Sequence, residues 1–528
     1  MSPRTEDSTE RPELDLGEVV ARCGRFRLSG RHGLLLVVVI SAALRFYGLG
    51  TRSFHGDEIL TVEMGSSPQM WALQKQARPA WHPPLHYAIP KLSYLAGAET
   101  EFEWRIVGAV FGVLTAVAAF LIPAVWGASR LSLPVGLLVA ISPMGVLFSQ
   151  SNRWHPLVGG ILAFGCVGLI AAVRRRALWG WVVALVCFVL ACYTVFMAGA
   201  VVFVLMLLAL WGVRRSAIQW KQWLVAALVC TLGVAPIVGS ALAWSFPKIG
   251  APAGMDGASI AGALAKVAVL VQNLTVGPTV LPWNWAVMIP ATVLLVWLGW
   301  RFLVSSDADV ASIRPVTVAF FFLCLLVTLV APAISSSRYW LVLLVPVSIA
   351  LGGGLVSISS RKWRAVGALG LAALAAYGLG NLYTGRQYQY LELVDDWRGL
   401  AELTRQMARP GDEVWTVMGP FQYYYGPESI CVREWRDDRE KARARIEATG
   451  AKRVFVQYSP MSGWHGINFT SRGKDAGAEL GKLGFEMQWQ EHYHRDPDVG
   501  MKRKLLRGRE FSEYRHVLEL WEREGGAG

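Results

Sequence analysis

The chain has 528 residues, of which 54% are hydrophobic and only 17% charged, with a mean hydropathy of +0.38. Runs of about 18 or more apolar residues recur along it, the length that crosses a bilayer, and this excludes an ordinary soluble protein of this size. The formal net charge of +13 sits in short Lys and Arg clusters between those runs, which is the signature of membrane topology and not of a nucleic-acid-binding face.

Residues 1–32 are polar, with Arg22, Arg25, Arg27 and Arg31 ahead of the first apolar run. That arrangement predicts a cytoplasmic tail and an uncleaved anchor, not a signal peptide. A first span over about 33–50 leads into an outer loop, 51–104, which opens on Arg52-Ser-Phe-His-Gly-Asp-Glu58 and continues through Trp81-His-Pro-Pro-Leu-His-Tyr87. The prolines impose a bend after His82, because proline disfavours helix at the residue before it. Spans over about 105–126 and 131–148 follow, then the polar break Ser149-Gln-Ser-Asn-Arg-Trp154, and a span over about 156–173 that ends on Arg174-Arg-Arg176.

The run 178–213 is too long for one helix at 1.5 Å per residue, so it splits near Tyr193-Thr194. A span over about 222–243 precedes a Gly-, Pro- and Ala-rich loop holding Trp244, Lys248 and Trp283-Asn-Trp285. Further spans over about 285–304, 315–334, 339–358 and 365–383 bring the expected total to about eleven within 33–383. With the tail inside, Arg174–Arg176, Arg214-Arg215 and Arg361–Arg364 fall on the cytoplasmic side, as the positive-inside rule asks. The 51–104 loop, the Ser149–Trp154 break and Arg338 then fall outside, as does the C-terminal region.

Residues 384–528 return to an ordinary charged composition. A helix over Asp396–Met407, a strand over Val414–Met418, a helix over Arg433–Thr449 and a strand over Arg453–Tyr458 predict a small extracytoplasmic α/β domain. It has no Gly-rich phosphate loop, which points to an accessory or acceptor-binding role. The seven cysteines are scattered without CxxC spacing, so no disulfide framework or cysteine metal site is expected.

Asp57 and Glu58 stand where the chain leaves the first span. An aspartate held there could take a proton from an acceptor hydroxyl or amine. The same pair, with His55, His82 and His86, has the ligand types for a divalent metal ion, although the spacing matches no tight zinc signature. Arg52, Lys91, Arg105, Arg153 and Arg338 gather on the same expected face. Each could simply anchor at the headgroups, or a subset could bind an anionic phosphate.

Taken together, Asp57-Glu58, His82-Pro-Pro-Leu-His-Tyr87, Trp104-Arg105, Ser142-Pro143 with Gln150-Ser-Asn-Arg-Trp154, and Arg338-Tyr339 with Pro346 resemble the GT-C membrane glycosyltransferases. Within them the chain is most similar to the bacterial branch related to protein O-mannosyltransferases and the lipid A aminoarabinose transferase. The resemblance covers most of 33–358 and departs at Tyr193-Thr-Val-Phe196, where relatives often have histidine in place of Val195. It implies a polyprenyl-phosphate-linked sugar donor, an inverting displacement at the outer face of the inner membrane, and a protein, lipid or glycan acceptor. It also implies Asp57 as base and Glu58 beside it. His82, His86, Tyr87, Lys91, Arg105, Arg153, Arg338 and Tyr339 become the candidate substrate-binding set. The rival class is a transporter or flippase of a lipid-linked sugar, which would place ionisable residues or broken helices near the bilayer midplane.

Overall fold

The computed structural model describes residues 19–23, 26–69, 82–214, 216–245, 260–330, 337–389, 393–431, 435–459, 470–496, 498–500 and 513–523. Met70, Trp71, Trp81 and Lys248 lie outside the described residues. The chain divides into two compact units, one of residues 1–49 and 64–380, the other of 50–63 and 381–528.

The larger unit is a helical bundle preceded by a short antiparallel hairpin of β1 (Val19–Cys23) and β2 (Phe26–Ser29). Among the described residues the apolar runs marked in the sequence are mostly helical, the run from 339 beginning in 3-10 turns over Ser337–Leu343 before helix Leu344–Val356. Among the described residues, seven helices are long and apolar enough to cross a membrane, or eight if the bent pair Ser129–Ala140 and Pro143–Ser149 is one span: Glu101–Trp126, Trp154–Arg175, Ala217–Gly239, Trp285–Leu303, Ala308–Val327, Arg338–Val356 and Arg361–Thr384. Leu178–Thr194 and Ala198–Val213 are shorter apolar helices, separated at Val195–Met197 close to the expected split. The chain is a polytopic helical membrane protein with a small C-terminal sheet domain.

The run expected at 131–148 is not one straight helix. Ser129–Ala140 and Pro143–Ser149 meet at a 56° bend, where Pro143, at the first helical position, cannot donate to the preceding turn. The break strands the last carbonyls of the first leg, and Arg45 supplies the donors. It is 1% exposed, donates to the Ala140 carbonyl at 2.8 Å and the Val139 carbonyl at 3.2 Å, and reaches Ser149 Oγ at 3.3 Å. Gly112 makes room for this contact, since a Cβ there would run into Ser149 and Arg45.

Glycine also sets the contact between Trp154–Arg175 and Leu178–Thr194. A Cβ on Gly180 would lie 2.5 Å from the Gly168 carbonyl oxygen, so these backbones touch as small residues allow in membranes. Helix Ile260–Thr275 lies in the region expected to be an irregular Gly-, Pro- and Ala-rich loop. The Gly-, Pro- and Ala-rich residues ahead of it set the loop expectation, although Leu264, Val267, Val271 and Leu274 repeat at helical spacing.

In the smaller unit, β3 (Glu413–Thr416), β4 (Ile430–Cys431), β5 (Arg453–Tyr458), β6 (Phe485–Arg495) and β7 (Tyr514–Arg523) form a sheet of order β4-β3-β5-β7-β6. β3 runs parallel to β4 and β5, while β7 is antiparallel to β5 and β6. Alternation along β5 sends Val454 and Val456 to one face with Ala442, Ile446 and Leu480. Phe455 goes to the other with Trp397, Leu400 and Phe421. Helices therefore cover both faces, the solution expected for strands with buried residues on each side.

Candidate active site

Asp57 and Glu58 do not lie in a loop. They occupy the first turn of helix Gly56–Ser66, where the dipole favours negative charge. His55 precedes that helix and its Nδ1 accepts a hydrogen bond from the Asp57 N–H at 3.2 Å. In return Glu58 Oε2 accepts from the His55 N–H at 3.3 Å. This is a reciprocal capping arrangement with histidine in the place usually held by Ser or Thr. It assigns the neutral tautomer of His55 with its proton on Nε2, 3.9 Å from the Glu58 carboxylate. Glu58 is 1% exposed and is engaged in holding the turn, whereas Asp57 is half-buried.

Residues 51–56 are strapped to the C-terminal domain. Phe54 N–H donates to Tyr424 Oη at 2.6 Å. Ser53 Oγ accepts from the Arg398 N–H at 3.1 Å and donates to Asp396 Oδ1 at 3.4 Å. Arg398 also donates to the Thr51 carbonyl, and Arg52 to Tyr388 Oη at 3.2 Å. Phe54 meets the edge of Tyr423 with centroids 6.0 Å apart. The domain thus fixes the entry to the helix that carries Asp57.

The other predicted site residues belong to the larger unit. His82 and His86 are brought together on either side of Pro83-Pro84, with the helix beginning at Pro84 and ring centroids 4.3 Å apart. Tyr87 packs on His86 at 4.6 Å, and Trp154 lies 6.0 Å from His82. Trp154 in turn contacts His155 at 4.1 Å and Tyr339 at 5.3 Å. The Arg338 guanidinium lies 5.7 Å over the Tyr339 ring. Gly108 lets the Ser149–Arg153 segment close on helix Glu101–Trp126, since a Cβ there would stand 2.8 Å from the Ser151 carbonyl oxygen.

Electrostatics place Arg153 with this cluster. Burial first, then the charges of His82, Arg153 and His155, push His86 well below the usual imidazole range. Burial raises Tyr87, and Arg153 offsets part of that rise. The His86 ring is therefore neutral, and its buried Nε2 has no hydrogen-bond partner among the described residues.

Two of the predicted cations engage the scaffold. Arg105 is 2% exposed and donates to the Leu49 carbonyl at 3.1 Å. Lys91 donates to the Ser67 carbonyl at 3.1 Å and sits over Tyr94. Sequence reasoning missed His155 and Arg45. The available signal was an ionisable residue inside or at the start of an apolar run, which marks a functional or structural polar site in a membrane helix.

No protein-family model matches the chain, and neither does any curated protein. Among solved structures, ArnT from Cupriavidus metallidurans bound to undecaprenyl phosphate is similar at a TM-score of 0.56 and 12% identity, covering 92% of this chain and 97% of that chain. ArnT from the same organism in the apo state gives 0.54 and 14%, with the same coverage. At these identities the likeness establishes the architecture alone, and over nearly its whole length this chain has the fold seen in ArnT.

Proposed function

We propose that the chain is a glycosyltransferase that moves a sugar from a polyprenyl-phosphate-linked donor to an acceptor at the outer face of the inner membrane. The observation that carries this reading is the fold shared over 92% of the chain with ArnT, one structure of which holds undecaprenyl phosphate. In this reading the N-terminus is cytoplasmic and the C-terminal domain extracytoplasmic.

Asp57 takes the proton from the acceptor hydroxyl or amine as that atom attacks the anomeric carbon. The bond from that carbon to the phosphate oxygen breaks on the opposite side, so configuration inverts. The negative charge then gathers on the lipid phosphate, where Arg153 and Arg338 stabilise it. His82, His86, Tyr87 and Tyr339 line the donor pocket, with neutral His86 available as a hydrogen-bonding group. Glu58 sets the turn that presents Asp57, and Arg105 and Lys91 hold the backbone around the pocket.

The purified chain with a panel of polyprenyl-phosphate sugars is assayed for release of polyprenyl phosphate, wild type against Asp57→Asn. The expected loss is about 10²–10⁴-fold in turnover. Equal turnover in the two proteins removes Asp57 as base. Absence of turnover with every donor, together with movement of a lipid-linked sugar across vesicles, replaces the transferase with a transporter.

A further inference from the structure

The C-terminal sheet carries a cluster of metal-binding side chains remote in sequence from Asp57. Asp395, His494 and His516 each offer one ligand atom within 4.8 Å of the others. His516, on β7, is wholly buried, and among the described residues neither of its ring nitrogens has a hydrogen-bond partner. Its Nε2 lies 3.6 Å from Asp395 Oδ1, and its ring packs on Trp397 at 4.3 Å. A buried imidazole in this state leaves an N–H or a lone pair unsatisfied, which is costly unless something else occupies the site.

His494 supplies an independent observation. Tyr493 pairs with His516 across β6 and β7, so in a regular ladder Tyr493 shares the His516 face and His494 turns away. Instead His494 has φ of 60°, a left-handed conformation uncommon for a side-chain-bearing residue. Its ring stands 6.4 Å from that of His516, and its buried Nδ1 has no hydrogen-bond partner among the described residues.

We infer that Asp395, His494 and His516 bind a divalent transition metal of the zinc class. Two imidazole nitrogens and one carboxylate suit such an ion and leave a fourth position for water. Tetrahedral ligands at ~2.1 Å from zinc stand ~3.4 Å apart, so side-chain shifts of about 1 Å close the site. The charged groups facing His494 are the Arg515 guanidinium and the carboxylates of Asp396 and Asp496, and Arg515 Nη1 lies 3.6 Å from Asp395 Oδ1.

The position gives the ion a structural task. It joins β6, β7 and the segment entering helix Trp397–Met407. Asp396, next to Asp395, is the residue that accepts from Ser53 Oγ and from Tyr493 Oη, the latter at 2.8 Å. Metal would therefore brace the attachment of residues 51–56. This inference stands apart from the proposed sugar transfer.

The full chain in detergent, stripped by a chelator and titrated with Co(II), tests it. One equivalent is expected to bind with the visible absorption of a low-coordinate cobalt site, to be displaced by Zn(II), and to raise the melting temperature. His494→Asn, tolerant of the left-handed backbone, and the isosteric Asp395→Asn should each bind at least about tenfold more weakly. The metal-free melting temperature of His494→Asn should stay near that of wild type, whereas Asp395→Asn, which removes the carboxylate facing buried Arg515, should lower it. His86→Gln should bind as wild type does. Failure of the wild type to bind one equivalent overturns the inference, as do undiminished binding in both sheet variants and a site lost in His86→Gln but kept in His494→Asn.

Discussion

The Glu58 carboxylate accepts from the N–H of the residue that caps its own helix, while Asp57, one position earlier, is half-buried. Substituting Glu58 therefore tests structure and substituting Asp57 tests chemistry. Glu58→Ala should lower stability by about 0.5–2 kcal/mol, the range for a lost helix cap, and Glu58→Gln by less, because an amide oxygen still accepts. Thermal unfolding of the detergent-solubilised protein measures both. At His86 the folded-state pKa lies below 6.5, so between the two values the unfolded chain binds more protons. Stability contributed by the neutral ring is fully present above pH about 6.5 and is lost as pH falls below it. Melting temperatures across that range should fall more steeply for wild type than for His86→Phe. The adjacent acids and the two histidines four apart were visible in the sequence. The capping contact of Glu58 was not, because a histidine N-cap is not among the residues that usually announce one.

At the scale of elements, the bent pair Ser129–Ala140 and Pro143–Ser149 depends on a side chain from a different helix. Arg45→Met removes the donors to the Val139 and Ala140 carbonyls and should cost roughly 2–5 kcal/mol, the sum for two buried acceptors left unsatisfied. Gly180→Ala would push a methyl into the Gly168 carbonyl and should cost about 1–3 kcal/mol through overpacking, read as a shift in the unfolding midpoint. Apolar run lengths and Pro143 located the helices and the break. What satisfies the break came from a residue about a hundred positions earlier, and no local pattern encodes that pairing.

At the scale of the molecule, residues 50–63 belong to the same compact unit as 381–528. The hydrogen bonds from Tyr424, Arg398 and Asp396 to residues 51–54 give the C-terminal domain a part in presenting Asp57. Tyr424→Phe deletes the acceptor for the Phe54 N–H and should cost about 1 kcal/mol. If the domain positions the proposed base, kcat falls in this variant while KM for the donor stays within about twofold, since the residues proposed for the donor pocket lie elsewhere in the chain. A proportional loss of kcat and of folded protein would reduce the strap to a purely stabilising contact.

The sequence by itself determined the membrane class, the helical runs, the change of composition near residue 384 and the residue types able to do acid–base and phosphate chemistry. Those properties are local: they depend on hydropathy over a window, on proline and glycine, and on which side chains ionise. Tertiary structure decided that Asp57 and Glu58 open a helix, that His82, His86, Trp154 and Tyr339 share one cluster, and that Asp395 meets two histidines from neighbouring strands. The last two join segments tens to hundreds of residues apart. The energy that selects such contacts comes from burial and hydrogen-bond satisfaction in the folded chain, which no stretch of sequence carries alone.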